Sequence, residues 1–166
     1  DGEREKLLES CKNSEEPFLY PIVVIALSTG ARKSEILNLT WADVDLQRKV
    51  AVLQQTKNDE RRALPLAGEA LECVKRLAGM RRIDPRLLFP DGSGKKPIII
   101  RAPWHKALKQ AGIEDFRFHD LRHSAASYLA MSGASLAEIA EVLGHKTLEM
   151  VKRYSHLSEQ HTASVV

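Results

Sequence analysis

The stretch HDLRHSAASYLA, residues 119 to 130, gathers two histidines and an arginine into the first five positions of an otherwise ordinary amphipathic helix. At about 100° per residue, His119, Arg122 and His123 share one face with Ala126 and Ala130, while Leu121, Ala125, Tyr128 and Leu129 share the other. The second group is expected to face the core, and the alanines of the first group to give a bulky partner room to approach. Three chemistries fit such a face. It can be a plain solvated basic surface. It can be a metal site, since His119 and His123 have the i, i+4 spacing of a zinc pair, although the glutamate of an HExxH site is absent. Or it can bind an anion, with Arg122 as a planar fork of donors and His119 as a group that gives and takes a proton near neutral pH.

Other segments offer further candidates. In STGARKSEILNL, residues 28 to 39, Arg32 falls on the helical face of Ile36 and Leu39, and an inward-facing arginine needs a partner. Glu35, three residues on, is placed to be that partner, in a structural ion pair or as the holder of a working cation. Lys57 stands at a turn, where solvated charge is the ordinary reading. His145 follows Gly144 in EVLGHKT, just past a helix end, where an imidazole caps carbonyls or faces a ligand. Tyr154, in VKRYSHL, shares a helical stripe with Met150, Val151 and Leu157, and periodicity alone makes it a core aromatic.

These residues need elements to carry them. Two helices open the chain, in EREKLLESC and over residues 17 to 29, the second mostly buried and closed by Gly30 as a left-handed cap. A helix over 33 to 39 follows. KVAVLQQT, 49 to 56, and RRALPL, 61 to 66, flank a polar break and predict a hairpin. Further helices are expected over 68 to 79, 102 to 111, 119 to 131, 135 to 143 and 147 to 157, with DGSGKKP at 91 to 97 as a loop. The expected fold class is therefore α+β, mainly α-helical, with a small antiparallel β-sheet and no internal repeat.

With 166 residues, 43% of them hydrophobic, residues 1 to 166 suffice for one domain with a real core. The net charge of +3 permits a nucleic-acid partner without requiring one, and the basic residues cluster, as in KNDERR at 57 to 62 and RAPWHKALK at 101 to 109. Cys11 and Cys73 form no CxxC or zinc-like pattern, which suits reduced thiols and a cytoplasmic location. The apolar run FLYPIVVIALSTG, 18 to 30, is too short and interrupted to span a membrane. The first residue, Asp1, is not methionine, so the chain is expected to be a piece of something longer.

TGARKSEILNLTWADVD, the hairpin lysine, HDLRH, LGHKT and RYSHL occur in the order and approximate spacing of the tyrosine recombinases, also called phage integrases, and the chain resembles their catalytic domain from about residue 15 to 157. Each motif alone is weak, but five in order are specific. The resemblance implies that Arg32, Lys57, His119, Arg122 and His145 surround a scissile DNA phosphate and that Tyr154 is the nucleophile. It implies His119 as general base, Lys57 as general acid, double-stranded DNA as partner, a tetramer assembled on DNA from a free monomer, and no metal or other cofactor. The resemblance also implies a separate DNA-binding domain ahead of this one, which these residues are expected to lack. His123 is expected to add a supporting hydrogen bond. Two other functions compete: a type IB topoisomerase, which shares the chemistry but relaxes supercoils, and a non-catalytic helix-turn-helix protein, suggested by the Ala140 to Gly144 spacing. The second leaves Arg32 and HDLRH without a purpose.

Overall fold

The computed structural model describes residues 2–54, 61–80 and 86–144. At its centre is α2 (Leu19–Thr29), whose sequence LYPIVVIALST holds no charge and is buried on nearly every side. A helix apolar all round needs neighbours all round, and α2 has them. Packed against it are α1 (Gly2–Lys12), α3 (Lys33–Leu37), α4 (Gly68–Met80) and α6 (Asp120–Met131). The fifth helix, α5 (Arg101–Ala111), lies on α1, and its Trp104 meets the ring of Phe118 edge-on at 5.2 Å. A second, smaller core joins α6 to α7 (Leu136–Leu143) through Ala126, Ala130, Ile139, Ala140 and Leu143.

The sheet is small and antiparallel, in the order β1 (Val44–Asp45), β2 (Val50–Leu53), β3 (Arg62–Pro65). The predicted hairpin is β2–β3, closed at its described base by the pair Leu53 and Arg62. The third strand, β1, was not expected, because two residues carry no alternation to read. Among the described residues no helix is long and apolar enough to cross a membrane. The helix expected over 147–157 lies outside the described residues.

Caps place the helix ends that matter for the site. Gly30 closes α2 at φ +72° with its N–H on the Ala26 carbonyl at 2.9 Å, as its sequence position predicts. Ser135 opens α7 through a reciprocal pair, its Oγ accepting the Glu138 N–H and the Glu138 carboxylate accepting the Ser135 N–H, each at 3.1 Å. Gly144 closes α7 at φ +74°.

Two expectations for α6 are overturned. Ala126 and Ala130 are both fully buried under α7, so they let a helix approach closely, not a ligand. Tyr128 is 57% exposed instead of facing the core, and the guanidinium of Arg4 lies 4.9 Å from its ring centre.

At Gly30 a methyl group would require a left-handed backbone and would collide with Leu143 Cδ2. Gly30→Ala is therefore expected to destabilise the domain by roughly 2–4 kcal/mol, the strain and the overpacking added together. Chemical denaturation checks this, and an unchanged midpoint would show that α7 does not sit against the α2 cap.

Candidate active site

Arg122 lies in the first turn of α6 and is only 4% exposed. A buried guanidinium must find acceptors, and two helix ends supply them. Nη1 donates to the carbonyl of Gly30 at 2.5 Å, and Nη2 donates to the carbonyl of Leu143 at 2.6 Å. Both oxygens sit at C-terminal ends, where carbonyls lack helical partners and the backbone dipoles favour a cation. Arg122 thereby ties α2, α6 and α7 together at one point.

Arg32 reaches the same point from the other side. It is not within the helix, as the periodicity suggested, but is the extended N-cap of α3, with its side chain 19% exposed. Glu35 behaves as expected in part. Its Oε1 accepts the backbone N–H of Arg32 at 2.8 Å, and its Oε2 lies 3.5 Å from Arg32 Nη1. Its stronger partner is not a neighbour in the helix. Arg62 Nη2 donates to Oε1 at 3.0 Å and Nη1 to Oε2 at 3.3 Å, and both side chains are buried. Burial pushes the Arg62 pKa down, with Glu35 opposing the shift and Arg32 adding to it. Arg62 was legible: in RRALPL it alternates with Leu64 and Leu66, which puts it on the inward face of the strand. Glu35 therefore keeps a buried partner whether or not Arg32 is present.

Arg32, His119 and Arg122 come together around a cavity of about 410 Å³, which Lys33 and Arg117 also line. The last two are further cations that no motif singled out. His119 is the N-cap of α6, exposed at the edge of the cavity. Loss of water around its ring lowers its pKa below the ordinary value, and the charges of Arg122 and Arg32 lower it further. Both effects favour the neutral imidazole, the form able to accept a proton. His123 meets His119 edge-to-face with ring centres 5.3 Å apart. Among the described residues no cluster of three metal-binding side chains occurs. What the cavity offers is a set of fixed cations beside a neutral base, which suits a singly charged phosphodiester. Lys57, His145 and Tyr154 lie outside the described residues.

Residues 2–161 match the Phage integrase family, and the chain belongs to that family. Among its relatives, the integrase of Salmonella phage P22 is 38% identical over 96% of this chain and 43% of its own length. The chain thus spans less than half of that relative. The catalytic domain of bacteriophage HP1 integrase superposes with a TM-score of 0.77 at 32% identity, covering 98% of this chain and 89% of that one. The recombinase XerH bound to its difH substrate superposes with a TM-score of 0.78 at 25% identity over 98% of this chain and 51% of that one. The architecture is that of a tyrosine recombinase catalytic domain.

The His119 imidazole is expected to titrate below about 6.5, the value of a free histidine. Its protonation is suppressed by poor solvation and neighbouring guanidiniums, so Arg32→Ala is expected to move the pKa upward. Proton NMR of the imidazole C–H resonances measures both. A wild-type value above the free one would mean that a carboxylate, not arginine, governs the ring.

Proposed function

We propose that this chain cleaves and rejoins DNA strands as a site-specific recombinase, through a 3′-phosphotyrosyl intermediate. One observation carries the reading: two arginines from distant segments and a histidine whose pKa is lowered converge on one cavity of about 410 Å³ in a chain of the phage integrase family. In this mechanism Arg32 and Arg122 neutralise the non-bridging oxygens, which otherwise repel a nucleophile. The Tyr154 hydroxyl attacks phosphorus and passes its proton to His119. The bond to the 5′ oxygen breaks, and Lys57 protonates that oxygen. His145 donates a hydrogen bond to the phosphate or seats Tyr154. The products are a phosphotyrosyl ester and a free 5′ hydroxyl, so the bond energy is kept and a second strand can reverse the step.

Arg122 differs in detail from a free fork. Two of its N–H groups are committed to carbonyls, so it meets the phosphate as a cation already fixed by the fold. Such pre-set charge needs no reorganisation during the reaction. XerH, a recombinase whose structure contains its DNA substrate, supports double-stranded DNA as the partner. The chain acts in the cytoplasm as the catalytic part of a longer protein, is monomeric when free, and forms tetramers on paired DNA sites. The relatives are integrases and recombinases, which favours recombination over supercoil relaxation or catalytically inert binding.

Incubation with a pool of nicked duplexes of random sequence in excess EDTA is expected to yield a covalent adduct on a denaturing gel. Tyr154→Phe should remove the adduct while leaving DNA binding nearly intact, and Arg32→Ala should slow its formation about 10²–10³-fold. An adduct formed by the phenylalanine variant, or cleavage that requires an added metal ion, would overturn the proposal.

A further inference from the structure

Arg62 is 8% exposed and lines no part of the cavity, yet it touches the segments that build it. As the first residue of β3 it pairs with Leu53 across the described base of the hairpin. Its guanidinium meets both carboxylate oxygens of Glu35, fork to fork. The same carboxylate accepts the Arg32 backbone N–H and lies beside the Arg32 side chain. On its other side Arg62 fills the space next to Gly144, where a Cβ would lie 2.8 Å from Arg62 Cδ and would overlap Nη1. The next residue along the chain is His145.

A carboxylate has lone pairs for one strong fork, and Glu35 has two guanidiniums beside it. With Arg62 in the fork, the cluster of two arginines and one glutamate keeps a net charge of +1, and the Arg32 end faces the cavity. Without Arg62, the unsatisfied oxygens of Glu35 would draw Arg32 into that fork and neutralise it. We propose that Arg62 is a positioning residue for strand cleavage: by occupying Glu35 it leaves the charge of Arg32 to the scissile phosphate, and by packing on Gly144 it holds the end of α7 that leads into His145. The inference rests on the recombinase reading and names a residue that acts through others, without touching DNA.

The test compares two nicked duplexes of one sequence, chosen from those the unsubstituted chain captures. One carries an ordinary phosphodiester at the scissile position. The other carries a methylphosphonate, in which a methyl group replaces a charged non-bridging oxygen, so neutralisation by Arg32 matters far less. Arg62→Met is expected to slow single-turnover cleavage of the diester by about 100-fold and that of the methylphosphonate by less than about tenfold, the pattern also expected for Arg32→Ala. Adding Glu35→Gln to Arg62→Met removes the carboxylate that draws Arg32 away, and should recover at least about tenfold on the diester. A role in packing alone would slow both substrates equally. Equal losses, or no loss, overturn the inference. If thermal melting shows that Arg62→Met does not fold, Arg62→Lys decides, since it keeps the charge but not the fork: a loss selective for the diester supports the proposal, and equal fold-losses on both substrates, or no loss, overturn it. Failure of the unsubstituted chain to cleave any duplex would overturn the recombinase reading, and this inference with it.

Discussion

Arg122 carries a charge that water solvates far better than an apolar core does, and it stays buried because α2 and α7 end with carbonyls aimed at it. Burying an unpaired guanidinium would cost several kcal/mol. Here the cost is offset by two short charge-assisted bonds at helix C-termini, where backbone carbonyls also lack partners. The requirement runs in both directions. The arginine needs the two helix ends, and the ends need the arginine, so their relative position is fixed. The glycine caps make this possible: Gly30 turns the chain away in a left-handed conformation, and its missing side chain lets Leu143 pack against it.

The second buried pair, Glu35 with Arg62, does for the other wall of the cavity what Arg122 does for the first. Both are charges held away from water, yet their partners differ: backbone carbonyls for one and a carboxylate for the other. The choice has an electrostatic consequence. The carbonyls bring no negative charge to Arg122, whereas the carboxylate absorbs the charge of Arg62 and spares that of Arg32. The surplus falls where Lys33 and Arg117 add to it, in a cavity of about 410 Å³. Fixed positive charge in a partly dehydrated cleft is what stabilises negative charge developing on a phosphate. The charges of Arg122 and Arg32 also add to the effect of burial in lowering the His119 pKa.

The sequence made the helices legible because their apolar residues recur at helical spacing and their caps are explicit, as at Gly30 and Ser135. It made the hairpin legible through alternation in KVAVLQQT and RRALPL. It was less informative about what covers a face. Ala126 and Ala130 share a side with Arg122 on any helical wheel, but a wheel does not reveal that α7 lies across them. Tyr128 fails for the related reason that a large ring at the margin of a stripe can turn outward over a surface cation, here Arg4. Arg32 and Glu35 were recognised as partners, yet the stronger partner, Arg62, comes from a strand 27 positions away. Local spacing shows pairs within a helix, and pairs between segments have no spacing to show. Lys57, His145 and Tyr154 were assigned by resemblance to a family to which the chain belongs.

The central claim is that the cavity around Arg32, His119 and Arg122 serves attack by Tyr154 on a DNA phosphate. Digestion of the trapped protein–DNA adduct, followed by tandem mass spectrometry of the nucleotide-bearing peptide, tests it most directly. The expected result is a 3′-linked nucleotide on Tyr154 and a released strand that begins with a 5′ hydroxyl. A nucleotide on the exposed Tyr128 or on any other residue, or a released strand bearing a 5′ phosphate, would contradict the account.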